Sequence, residues 1–114
     1  MVRASACAVE ILIDQLPLYP GAASLARRGI ASSLQPQNIR IRHSIQESAG
    51  LASHAAYPLL FDPQTAGGLL AGVAQQQAEP CLQQLRELGY QHAQIIARVT
   101  EDSTSAQIIR LVNS

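Results

Sequence analysis

Residues 8–14, AVEILID, set Val9, Ile11 and Ile13 against Glu10, Leu12 and Asp14, and this alternation predicts a strand with one well-buried side. The corner QLPLYPG follows, too rich in proline for a helix to cross. In AASLARRG, Ala22, Leu25 and Ala26 then share a helical face, and Gly29 stands where a left-handed closing residue belongs. NIRIRHSI, residues 38–45, alternates Ile39, Ile41, His43 and Ile45 with Arg40, Arg42 and Ser44, which predicts a strand with one wet face, suited to a sheet edge. Residues 46–58 offer only Leu51 and Tyr57 as large apolar side chains and read as a weak helix.

The clearest helical period lies in QAEPCLQQLRELG, residues 77–89. Ala78, Cys81, Leu82, Leu85 and Leu88 recur on one face, Glu79 and Pro80 suit a first turn, and Gly89 sits at the C-terminal cap. AQIIARV alternates Ala93, Ile95, Ala97 and Val99 against Gln94, Ile96 and Arg98, and AQIIRLV near the C-terminus does the same; both predict strands. Residues 106–113 fit a helix equally well, because Ala106, Ile109 and Val112 share a face at a spacing of three. With GGLLAGV, residues 67–73, as a further strand, the expected fold class is α/β (α+β): a mixed sheet of four to five strands with helices packed on it, one domain over residues 1–114.

Apolar residues make up 47% of the chain and charged residues 14%, enough burial to offset ordering entropy and exclude a disordered chain. Arginine and acidic residues balance at eight each, and there is no lysine. Net neutrality leaves no basic footprint for nucleic acid and no polybasic stretch for a membrane surface. Without lysine the chain has neither a Walker-type phosphate loop nor a Schiff-base nucleophile. Cys7 and Cys81 belong to no CxxC or CxxH pair and are read as two structural thiols in a reducing compartment rather than a disulfide or metal ligands. No apolar run approaches the ~20 residues that span a bilayer, and no basic-then-apolar leader opens the chain, so the expected location is the cytoplasm. His43, His54 and His92 stand at unrelated spacings and read as ordinary histidines, not as a metal site. Arg27 and Arg28 suit the C-terminal end of their helix, as a solvated terminus in preference to an anion site, and Arg40 and Arg42 project together on their expected strand, toward phosphate or, in preference, an acidic partner surface.

One stretch resists a packing explanation: LLFDPQTAGGLLAGV, residues 59–73. Asp62 and Thr65 can hydrogen-bond nearby backbone, Pro63 fixes one dihedral, and Gly67 and Gly68 can take conformations barred to other residues. Two readings stand side by side: a tight connection between buried segments, or a glycine-rich turn beside a carboxylate that presents backbone N–H groups to a phosphate.

LLFDPQTAGGLL closely resembles the C-terminal Asp-Pro-Gln-Thr-Ser-Gly-Gly-Leu-Leu motif of the selenide, water dikinase (selenophosphate synthetase) family. AVEILIDQLPLYPGAASLARRGI is similar to that family's strand, Leu-Pro-Leu-x-Pro-Gly-Ala corner and helix, Asn38 falls where it has an Asn, and LRELGYQHAQIIARVTE is similar to its last helix and strand. The likeness covers nearly the whole chain. It implies the C-terminal domain of aminoimidazole ribonucleotide synthetase-like ATP-using enzymes, and a reaction in which ATP, selenide and water give selenophosphate, AMP and orthophosphate, with Mg2+ neutralising the phosphates. It also implies that Asp62, Gln64, Thr65, Gly67 and Gly68 help to hold the phosphate end of the substrate.

The family's Gly-rich segment with its catalytic Cys or selenocysteine and Lys, and its metal-binding Asp residues, match nothing in this chain, and Ala66 replaces the usual Ser. ASACAVE around Cys7 lacks that Gly-rich context. No catalytic residue and no metal ligand is therefore expected here, and the implied partner is an N-terminal ATP-binding domain on polypeptide outside this sequence. An apolar face left for that neighbour implies self-association, hence a homo-oligomer. Two other functions compete: a non-catalytic binding or dimerisation module of the same fold, and the matching domain of another ATP-using relative. With no nucleophile, lysine or acidic metal cluster available, the purified 114-residue chain is expected to form no AMP from ATP. Steady AMP production abolished by EDTA contradicts that expectation.

Overall fold

Ala8–Leu12 forms β1, an inner strand of the sheet, as the alternation of residues 8–14 predicts. The structure, a computed structural model, describes residues 5–47, 50–64, 67–101 and 108–113. It divides into two compact units, Met1–Pro63 with Ile96–Ser114, and Gln64–Ile95.

In the first unit β1 pairs antiparallel with β3 (Ala97–Thr100) and parallel with β4 (Ile109–Val112), and β4 pairs parallel with β2 (Ile45–Glu47). The order β2-β4-β1-β3 makes a four-stranded mixed sheet, and three α-helices complete an α+β fold. Residues 109–112 are thus a strand, which decides between the two readings of the C-terminal segment; residues 106 and 107 lie outside the described residues.

Register places Ile11 beside Leu111 and Ile45 beside Ile109, so these four side chains share one face. Against that face pack Ile13, Leu51, Ala56 and Phe61, which are buried with Ile45 and Leu111 in one cluster. The edge-to-face contact of Tyr57 with Phe61, at 5.2 Å between ring centres and 70° between planes, adds about 0.5–1.5 kcal/mol to area burial.

Several expectations are corrected. The first strand ends at Leu12 and a 3-10 turn, Ile13–Gln15, follows, so Ile13 enters the core by a bend rather than by alternation. Leu12, expected on the exposed side with Glu10, is buried, as is Ala8, so β1 buries residues on the face expected to be exposed. Residues 38–45 are not a strand: Gln35–Asn38 is a helical turn, α2, with Pro36 in its first turn, and 3-10 helix continues over Ile39–Ser44. Ile41 is consequently exposed, and extended chain begins only at Ile45. The weak helix at 46–58 is replaced by strand to Glu47 and by 3-10 turns at Leu51–Ser53 and Tyr57–Phe61. β3 starts at Ala97 rather than Ala93: its pairing with β1 runs from Ala97 to Thr100, with one further bond from the Leu12 N–H to the Ile96 carbonyl at 2.9 Å.

α1 (Ala22–Arg27) closes as expected: Gly29 has φ 74°, its N–H meets the Ala26 carbonyl at 3.0 Å, and the Ile30 N–H meets that of Leu25 at 3.0 Å. The second unit repeats this cap. Its helix α3 (Gln75–Glu87) ends at Gly89, φ 100°, with the Gly89 and Tyr90 N–H groups on the Arg86 and Leu85 carbonyls at 3.0 Å. Because α3 begins at Gln75, Pro80 lies inside the helix rather than in the first turn. The expected strand at 67–73 is absent: Leu69, Leu70 and Val73 are exposed and no strand pairs with them.

Leu111, fully buried, is expected to cost about 2–5 kcal/mol when cut to Ala. Val99→Thr, at an exposed position on edge strand β3, is expected to change stability by less than about 0.5 kcal/mol. Urea titration of both variants checks the contrast.

Candidate functional site

The approach to Asp62 is built from turns linked end to end. The Tyr57 N–H donates to the His54 carbonyl (3.0 Å), the Leu59 N–H to that of Ala56 (3.0 Å), and the Asp62 N–H to that of Leu59 (3.3 Å). A 3-10 segment leaves carbonyls without a ladder partner, and α2 supplies donors for two of them. Gln35 Nε2 donates to the Pro58 carbonyl at 2.6 Å, and Asn38 Nδ2 to the Phe61 carbonyl at 3.1 Å. Buried Phe61 on one side and Asn38 on the other therefore fix the backbone one residue before Asp62.

Asp62 is half-buried at the rim of a notch of about 220 Å³, lined also by Ala22 and Leu25 of α1 and by Ile30, Ser32 and Leu59. Its walls are mostly apolar, and Asp62 is the one charged group on them. A groove of about 680 Å³ along α3 is lined by Glu79, Leu82, Gln83 and Arg86 among others and holds none of the residues expected at the site.

The division between the two units falls between Pro63 and Gln64. Asp62 thus closes the first unit, while Gln64, Gly67 and Gly68 open the second, all three exposed. Thr65 and Ala66 lie outside the described residues. Neither Gly67 nor Gly68 has a left-handed φ. A Cβ added at Gly67 would meet only the Gln64 Cβ, at 3.9 Å, and one at Gly68 would meet nothing within 4 Å. Neither glycine uses the left-handed freedom expected of the pair, and among the described residues no neighbour requires glycine there.

Arg40 and Arg42 do not project together from a strand; they lie exposed on 3-10 helix. His43 and His92 are exposed, whereas His54 is bound on both sides, its Nε2 3.0 Å from Asp14 Oδ1 and its Nδ1 accepting the Ala56 N–H at 3.1 Å. Sequence inspection missed Gln35 and the His54–Asp14 pair. Their partners are 23 and 40 residues away, and no local spacing marks such contacts. Cys7 and Cys81 are half-buried and are not joined in a disulfide.

Among the described residues no group of three or more His, Cys, Asp or Glu is placed to hold a metal ion, and no helix is long and apolar enough to cross a membrane. A Mg2+ ion takes six oxygen ligands in near-ideal octahedral geometry. One carboxylate, that of Asp62, among mostly apolar lining residues does not fit that need, so no magnesium ligand is assigned among the described residues.

The chain is similar to the selenide, water dikinase of Pelobacter propionicus, with 34% identity over 102 residues, 90% of this chain and 29% of that protein. It is 32% identical over 99 residues to the Clostridioides difficile protein of the same name, covering 87% of this chain and 28% of the relative. The one from Pseudomonas straminea is 31% identical over 99 residues, again 87% and 28%. The chain thus spans under a third of the length of these curated relatives. No family model matches it. No solved structure matches it either.

Asn38→Ala, which removes the donor to the Phe61 carbonyl, is expected to cost about 1 kcal/mol, and Asn38→Asp, which sets oxygen against oxygen, about 1–3 kcal/mol. Urea denaturation gives the stability order, and the amide NMR signal of Asp62 is expected to shift in both variants.

Proposed function

From the premise that this chain is a relative of the selenide, water dikinases over nine-tenths of its length, we propose that it is the C-terminal part of such an enzyme and contributes one wall of its phosphate site. In this reading residues 62–68 form the wall: Asp62, Gln64, Thr65 and the backbone at Gly67 and Gly68 meet the phosphate end of ATP. The groups that attack and transfer, and the Mg2+, belong to the remaining two-thirds of the protein, an N-terminal ATP-binding region. The product is selenophosphate, made from selenide and ATP, and the chain by itself is inactive.

One observation carries the assignment of the stretch. A packed and hydrogen-bonded approach ends at half-buried Asp62, and soon after it come exposed glycines that no internal contact requires. Glycine without an internal demand leaves room for a ligand to approach the backbone, and a phosphate bound by N–H groups needs that closeness. A carboxylate near phosphates does not attract them. The role that suits Asp62 is therefore to accept hydrogen bonds from backbone or substrate donors and to orient the turn.

A glycine substitution separates this wall from a plain connector. Gly68→Ala is expected to leave the stability of the 114-residue chain unchanged or raised by about 0.4–1 kcal/mol, because φ is not left-handed and the space is open. In the full-length enzyme carrying this segment, the same change is expected to lower kcat/KM for ATP at least tenfold. Full activity of that variant, together with full activity of Asp62→Asn, refutes the assignment.

A further inference from the structure

We propose that His54 is a pH-sensitive positioning residue: its neutral ring, protonated at Nε2, pins the turn that leads to Asp62, and protonation of Nδ1 releases that turn. Both ring nitrogens are engaged. Nδ1 accepts the Ala56 N–H at 3.1 Å, and an acceptor nitrogen carries a lone pair and no proton. Nε2 therefore carries the proton of the neutral ring and donates it to Asp14 Oδ1, 3.0 Å away. The two bonds fix one tautomer and tie the turn after β1 to the turn before Tyr57.

A doubly protonated imidazole has two donors and no acceptor. The Ala56 N–H then faces another N–H at a partly buried contact, on the core side of a ring whose side chain is 31% exposed, because Ala56 is 2% exposed and part of the cluster around Phe61 and Leu111. A buried donor without an acceptor is costly enough to move the turn. The bond to Asp14 survives protonation and becomes charge-assisted, so the ring stays on Asp14 and the change falls on the Ala56 side. Asp14 is the charged group facing the ring from the turn after β1. Leu51–Ser53 brings no titratable side chain, and Tyr57–Phe61 brings the Tyr57 phenol, whose ring lies against Phe61. From Ala56 the linked turns run through Leu59 to the Asp62 N–H, which couples the histidine to the backbone at Asp62. This inference concerns the fold of the chain and stands whether or not Asp62 meets a phosphate.

NMR on the 15N-labelled 114-residue chain tests it. While the ring is neutral its nitrogen shifts are expected to report the Nε2–H tautomer, with a scalar coupling across the hydrogen bond between Ala56 N and His54 Nδ1. As the ring protonates, followed by the same nitrogen shifts, the coupling is expected to vanish. Exchange of the Ala56 amide is expected to rise about tenfold relative to the Val9 and Leu12 sheet amides. His54→Asn places an amide oxygen two residues before the same N–H, as in an Asx turn, and is expected to hold Ala56 at every pH without a step. Asp14→Asn keeps an acceptor for Nε2–H and is expected to keep the step. An Nδ1–H tautomer of the neutral ring, an Ala56 signal indifferent to ring protonation, a step that persists in His54→Asn, or equal loosening of Val9 and Leu12 each overturns the proposal.

Discussion

Burial of Phe61 is the constraint on which the candidate site rests. Its ring lies in the core against Tyr57, while its carbonyl, one bond from Asp62, is held by the amide of Asn38. A side chain locked in the core fixes its own backbone, and a backbone fixed at one residue leaves the next few degrees of freedom. The position of Asp62 is thus a by-product of hydrophobic packing, made definite by one side-chain hydrogen bond.

The sequence disclosed elements where local chemistry decides the outcome. α1 and α3 were legible because a short apolar period ends at Gly29 and at Gly89, and both glycines adopt the left-handed cap that makes them useful there. β1 was legible from alternation, whereas the segment of β4 fitted strand and helix alike until its pairing with β1 and β2 decided it. The stretch 38–45 was misread because its alternation is genuine but irrelevant: Pro36 starts a helical turn, and Gln35 and Asn38 anchor that turn to carbonyls 23 residues away. Tertiary bonds of that kind leave no local trace. The same holds for residues 67–73, whose apolar character favours a strand but which have no partner among the described residues. Of the expected site, Asp62 was legible as a turn residue, and the mostly apolar notch beside it was not, since its walls come from residues 22–32 as well as from Leu59.

The sheet explains why the segment before Asp62 is irregular. Ile11, Ile45, Ile109 and Leu111 present an apolar face that must be covered, and a full helix would satisfy its own backbone while covering it. Here the cover includes two 3-10 turns, Leu51–Ser53 and Tyr57–Phe61, whose tighter winding drops Leu51, Ala56 and Phe61 into the core within a short length of chain. The cost is a set of backbone groups with no ladder partner. Gln35, Asn38 and His54 each supply one of the missing partners.

That arrangement makes stability and site geometry inseparable in the first unit. In a helix, backbone order is local, and a lost side-chain contact leaves the ladder standing. In linked 3-10 turns the order comes from outside, through three polar side chains of α2 and the residue 54 turn, so loosening any one of them loosens the approach to Asp62 before it unfolds the sheet. A segment held in this way can be stiff at one protonation state and free at another without disturbing β1 or β4. Gly67 and Gly68 belong to the second unit, and among the described residues no contact demands glycine at either. Within the first unit, Asp62 owes its position to the core.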